Sequence, residues 1–262
     1  MPEVTYERRA WVAVITIDRP ERRNAVDPST ADQLLEAYRS FEADDEARVM
    51  ILTGAGDQAF CAGADLKSVA AAVNDEDLAR QWLKPRPHGP LGFSRITSPK
   101  PTIAAISGYA LAGGLELALW CDLRVGTETA KLGFPERRWG VPLIDGGTQR
   151  LPRIVGMGRA MDMILSGRIV EADEARAMGL LTEVVAPGQH LERALEMAEG
   201  LAQFPQETML ADRRSALEGF SMSLEEGLER EAEIGGAVTG VGVEGAGRFA
   251  AGEGRGGAGA GV

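Results

Sequence analysis

The chain has 262 residues, 44% of them hydrophobic and 26% charged, with a formal net charge of −11. That is an ordinary globular composition, with enough chain to bury one large core alone or with an appendage. It excludes broad nucleic-acid binding, which runs on basic surface, and no apolar run reaches the roughly 20 residues that span a bilayer.

The N-terminus, MPEVTYERRAW, is polar and holds no signal core, so a cytoplasmic protein is expected. WVAVITID, Trp11 to Asp18, predicts a buried strand that ends in the turn RPERRN. STADQLLEAYRSFEAD predicts a helix with Ser29 as N-cap and Leu34, Leu35, Tyr38 and Phe41 on one face. RVMILTGAG, from Arg48, is a second strand, and AFCAGADLKSVAAA turns through Gly63 into a helix. Residues 74–100 carry four prolines and predict an irregular, mobile segment beside a ligand pocket. PTIAAIS and CDLRVGT are further strands, so the repeating pattern predicts an α/β fold with largely parallel strands.

Beyond residue 145 the periodicity is helical with glycine stops. The chain therefore divides into a core, 1–190, a helical region, 191–235, and a Gly-rich stretch, 236–262. Residues 235–262 hold 12 glycines, so a packed helix is not expected there and a mobile tail is. Leu191, Leu195, Ala198 and Leu201 form an apolar face that suits an oligomer contact.

One residue is out of place. In ISGYALAGGLELALWCDL, Glu116 stands among apolar residues just after Gly113 and Gly114. A buried carboxylate is costly, and apolar neighbours raise its pKa, which suits a general acid or base. The bland alternative is an ion pair with Arg124 or Arg150. A glycine pair that opens a helix supplies unpaired N–H donors, and the turn FCAGADL offers another at Ala64. Two such donors aimed at one carbonyl make an oxyanion hole; each turn alone reads as a tight connection. Glu136, in KLGFPERRWGVP, and Asp145, in PLIDGGTQRL, are further acids, though PERR reads as a solvated run and Asp145 as a helix N-cap. Cys61, Cys121, His88 and His190 form no ligand cluster, so no metal is expected. TGAGDQA satisfies the weak dinucleotide pattern G-x-G-x-x-A, but no helix clearly opens at Gly56.

Taken in order, VAVITIDRPERRNAVD, AFCAGADL, PTIAAISGYALAGGLELALWCDLRV, KLGFPERRWGVPLIDGGTQRLPRIVG and ILSGRIVEADEARAMGLLTEVV resemble the enoyl-CoA hydratase/isomerase (crotonase) superfamily over roughly residues 4–235. The resemblance implies a spiral of ββα units with a C-terminal helical region that packs protomers into trimers or hexamers. It implies an acyl-CoA substrate, with CoA entering as part of the thioester and no separate cofactor. Backbone N–H groups of Ala64 and Gly113 would hold the thioester oxygen, with Gly114 beside them. Glu116 would help activate water and Glu136 would exchange the α-proton. CoA contacts would come from Arg22, Arg23, Asn24 and Ala25, and from Ala62, Gly63, Asp65, Leu66 and Lys67, with Arg23 and Lys67 meeting the phosphates. The expected reaction is hydration of trans-2-enoyl-CoA. Double-bond isomerisation, non-catalytic acyl-CoA binding and a dinucleotide oxidoreductase are the rivals. The sequence departs from the family pattern at Ala112, in the bulky VPLID stretch that brings Ile144 and Asp145 near the reacting end, and in the Gly-rich C-terminus.

Overall fold

The structure is a computed structural model that describes residues 2–252. The chain forms two compact units, one up to Ala198 and one from Glu199, so the division falls inside a helix, α8 (His190–Gln203), rather than at its start.

The first unit is built on two sheets. The larger has the order β1 (Val4–Arg9), β2 (Val12–Ile17), β3 (Val49–Gly54), β5 (Thr102–Ile106), β7 (Leu123–Thr127), β10 (Glu183–Val185). The smaller has the order β4 (Ala59–Cys61), β6 (Tyr109–Leu111), β8 (Lys131–Gly133), β9 (Ile169–Glu171). Pairing is antiparallel for β1 with β2 and for β8 with β9, and parallel for the other paired strands. β3, β5 and β7 are each followed by a short strand of the second sheet, β4, β6 and β8. After β3 and β4 comes α2 (Leu66–Ala71), and after β5 and β6 comes α4 (Gly113–Trp120). This is the spiral of ββα units, and it sets the turns after β4 and β6 side by side. Parallel strands covered on both faces read as continuous apolar runs, and every residue of VMILTG is buried. Tyr38, Phe41, Phe93 and Trp120 stack edge-on and face-on in the core.

The structure differs from the sequence reading at several places. β1 was not foreseen, because its residues VTYERR lie on a sheet edge and are mostly uncovered. The N-cap of α1 (Pro28–Ala43) is Asp27, not Ser29. Asp27 accepts from the Thr30 N–H at 2.9 Å, and Pro28 takes the first helical position, where its missing N–H costs nothing. The segment 74–100 is not wholly irregular: Asp75 caps α3 (Glu76–Leu83).

The second unit holds α9 (Gln206–Gly219), α10 (Leu224–Ala237) and α11 (Thr239–Ala251). A Ser223–Glu226 capping box starts α10. α11 corrects the expectation for the Gly-rich stretch: residues 239–251 are helical, although none is buried. Glycines at 240, 242, 245 and 247 each cost roughly 1 kcal/mol of helix propensity. α11 touches α9 and α10, and Gly252 closes the helix in the left-handed region. The rest of the expected tail, 253–262, lies outside the described residues. Among the described residues, no helix is long and apolar enough to cross a membrane.

Candidate active site

The turn after β4 is pinned from below. Ala62 N–H donates to the Arg23 carbonyl, Val26 N–H to Gly63, and Asp65 N–H to Val26. Ala64 sits between these bonded residues, and its own N–H meets no acceptor among the described residues. Gly63 has φ +87°, and a Cβ there would lie 2.8 Å from the Gly113 nitrogen, so only glycine lets the two turns touch. Gly113 is the first residue of α4, and its N–H is one of the helix's orphan donors. A Cβ on Gly114 would come within 2.0 Å of the Cys61 carbonyl oxygen, which fixes the approach of α4 to β4. Ala112, before the pair, holds φ 52° and ψ −126°, a region that favours glycine.

Ala64 and Gly113 line one cavity of about 480 Å³, together with Glu116, Glu136 and Asp145. Glu116 is 2% exposed. Its Oε1 accepts from the N–H groups of Gly147, at 2.7 Å, and Asp145, at 3.0 Å. Burial pushes its pKa up to about 7, with the charges of Asp145 and Glu136 adding and the two N–H bonds opposing. It forms no ion pair with Arg124 or Arg150, which donate instead to main-chain carbonyls.

Glu136 lies in the 3₁₀ turn Pro135–Trp139 and is buried, so PERR is not the solvated run that its sequence suggests. Neither of its carboxylate oxygens has a hydrogen-bond partner among the described residues, and burial pushes it to about 7 as well. Asp145 does not cap the helix α5 (Gly147–Val155), whose N-cap is Gly146. Its carboxylate accepts from Leu91 N–H, at 3.1 Å, and from the Ser94 hydroxyl, and burial raises its pKa.

The residues named for CoA separate into two groups. Arg22, Arg23, Leu66 and Lys67 are exposed, and Ala62 and Leu66 line the cavity. Asn24 and Asp65 are buried, and their side chains hold the turn instead of facing a ligand. Asn24 accepts from Arg19 N–H and donates to Ala55 and Ala59, and Asp65 caps α2. Ala25 and Gly114 are buried too. Arg19 was missed by the sequence reading, although it organises this corner. It is buried, with Glu3 at 3.0 Å, Asp27 at 2.9 Å and Asp65 at 3.4 Å. Trp82, Leu91, Arg95 and Trp139 also line the cavity and were not singled out; the first three lie in a segment that carries no motif, and Trp139 stands beside Glu136 in KLGFPERRWGVP. The dinucleotide pattern is overturned: β4, not a helix, follows Gly54 and Gly56, and a Cβ on Gly54 would meet Phe60 O at 2.2 Å.

Comparison with known proteins agrees with this geometry. A probable enoyl-CoA hydratase of Rhizobium meliloti is 38% identical over 87% of this chain and 86% of its own. A short-chain-enoyl-CoA hydratase of Clostridium acetobutylicum is 35% identical over 88% and 87%. The crystal structure of an enoyl-CoA hydratase from Mycobacterium tuberculosis superposes with a TM-score of 0.81 at 34% identity, covering 89% of each chain. The family model described as Enoyl-CoA hydratase/isomerase matches residues 7–249, more than nine-tenths of the described chain, and the protein belongs to that family.

Proposed function

We propose that the chain hydrates trans-2-enoyl-CoA thioesters to 3-hydroxyacyl-CoA. The observation that carries this reading is the meeting, in one cavity, of two buried carboxyls and two main-chain N–H groups that meet no acceptor among the described residues. The thioester carbonyl accepts from Ala64 and Gly113, which polarises the conjugated double bond. Such a donor is worth roughly 3 kcal/mol in the transition state. Burial raises both carboxyls to about 7, so at neutral pH each is available in both the ionised and the protonated form.

Glu116 takes a proton from water as the water oxygen bonds to Cβ. The C=C electrons move toward the thioester oxygen, and the enolate then collects a proton at Cα from Glu136. Water is consumed whole: its hydroxyl goes to Cβ, one proton goes to Cα, and the protonation of the pair is restored by exchange. Glu116 Oε1 is fixed by two N–H bonds, which leaves the other oxygen to face the water. Arg23 and Lys67, both exposed, meet the CoA phosphates. The names of the relatives from R. meliloti and C. acetobutylicum support the same reaction.

Incubation with crotonyl-CoA tests this reading: the product gains the mass of one water. If mass stays constant and the double bond of a 3-enoyl-CoA migrates instead, the protein is an isomerase. That second reading is favoured by the Asp145 carboxylate on the same cavity wall. We also propose a trimer or hexamer. Leu191, Leu195 and Leu201 are half-buried and Ala198 is buried, but Phe220, Leu224 and Leu228 of the second unit are exposed. Light scattering that gives the monomer mass at micromolar concentration overturns the oligomer.

A further inference from the structure

The hydration step leaves one charge in the cavity without a task. Lys84, Arg86 and Arg95 are its basic lining residues. Arg86 pairs with Asp32 and also donates to the Pro28 carbonyl, and Lys84 lies 3.8 Å from the same aspartate. Arg95 has no carboxylate within ion-pair distance among the described residues. One nitrogen, Nη2, donates to the Ile144 carbonyl at 3.1 Å, and the remaining donors of this exposed guanidinium, whose charge also acts on Asp145, meet no acceptor among the described residues.

Position gives that guanidinium meaning. Ile144 precedes Asp145, whose N–H holds Glu116, so Arg95 is anchored on the acid's side of the cavity. Arg23 and Lys67, the residues proposed for the CoA phosphates, are not among the residues that line this cavity. Val141, Pro142, Leu143 and Ile144 add apolar side chains to the same cavity lining. Arg95, Leu143 and Ile144 also line a second cleft of about 610 Å³, where Thr148, Gln149 and Arg150 make the wall polar. The cavity thus holds the acids, an apolar lining and a guanidinium. A plain alkyl tail gains nothing from that guanidinium. A carboxylate is repelled by Glu116, Glu136 and Asp145 unless a cation receives it, and guanidinium is the group that matches carboxylate geometry.

Resting on the hydratase reading, we propose that the preferred substrate is a 2-enoyl-CoA whose acyl chain ends in a carboxylate, received by Arg95. The test compares two series of trans-2-enoyl-CoA esters of five to eight acyl carbons, one ending in methyl and one in carboxylate. The expected wild-type result is a kcat/KM at least tenfold higher for the carboxylate ending at the best chain length. Arg95→Met lowers the ratio of the two series at least tenfold, and Arg95→Lys, which keeps the charge but not the fork, retains part of it. A wild-type ratio near one, or a ratio that Arg95→Met leaves within twofold, overturns the inference while hydration of the methyl series stands. Failure to hydrate either series overturns the hydratase reading itself, and this inference with it.

Discussion

The helix that carries Glu116 and the turn that carries Glu136 bury their carboxyls in unlike hydrogen-bonding surroundings. Both carboxyls are buried, and both are pushed to about 7. Glu116 feels two like charges and answers them with two main-chain hydrogen bonds, so its orientation is set before any substrate arrives. Glu136 has neither oxygen bonded within the described residues, and its shift rests on burial. A tethered acid and a bare one suit different tasks: one must hold a nucleophile in place, the other must take and return a proton. A similar pKa therefore does not mean equal role or equal cost to the fold.

Activity is the largest lever on this contrast. Glu116→Gln and Glu136→Gln should each lower kcat for hydration by at least about 10², the low end for losing a general acid–base group. Thioester binding, held by the main chain, should change little. Full turnover in either variant breaks the pairing of the two acids.

Stability should separate them in the opposite sense. A carboxyl raised from 4.5 to about 7 costs the folded state up to about 3 kcal/mol at pH 8. Glu136→Gln removes that cost and disturbs no hydrogen bond, so unfolding free energy should rise by about 1 to 3 kcal/mol. The gain from Glu116→Gln should be smaller, because an amide is a weaker acceptor for the Gly147 and Asp145 N–H groups. Denaturant melts that rank the two the other way contradict the comparison.

The pH dependence follows with a fixed sign. The folded protein binds these protons more tightly than the unfolded chain, so the stability that they contribute is full below about 4.5 and lost as pH rises through about 7. The gap in unfolding free energy between the wild type and the Glu116→Gln/Glu136→Gln double variant should therefore be wide at pH 8 and nearly closed at pH 5. A gap independent of pH removes the shared titration.

The smallest effect touches one acid alone. A Cβ on Gly147 would lie 3.0 Å from both Cγ and Oε1 of Glu116. Gly147→Ala should move that carboxylate by a few tenths of an ångström and lower kcat by about 3- to 10-fold, less than the 10² that a 1 Å misplacement costs. An unchanged kcat means that the tether is not needed.

How much of this is written in the sequence depends on the kind of residue. β2, β3, β5 and β7 are legible because both of their faces are covered, which produces runs of apolar residues. β4, β6 and β8 are three residues long, too short for any periodicity, and β1 hides its strand character in edge polarity. Glu116 is legible as a lone charge in an apolar helix. Glu136 is less so, because its burial is made by tertiary packing around a polar turn: the pattern offers it as an acid in a solvated run, and only the resemblance gives it a role. Asp145 misleads: Asp before a helix usually caps it, but Leu91 N–H and the Ser94 hydroxyl take this one from far along the chain. Arg95 is invisible in a Pro-rich segment until the fold sets it beside Ile144.

Ala112 bears on how steadily the proposed oxyanion donors are aimed. Its backbone sits where a side chain costs about 1 to 3 kcal/mol and glycine almost nothing. Yet glycine at that place also reaches many more conformations, and the peptide that it joins to Gly113 carries one of the two N–H groups. The methyl trades enthalpy for order. It stores strain in the resting protein and narrows the angular spread of the Gly113 N–H, so less entropy remains to be lost when a thioester oxygen arrives.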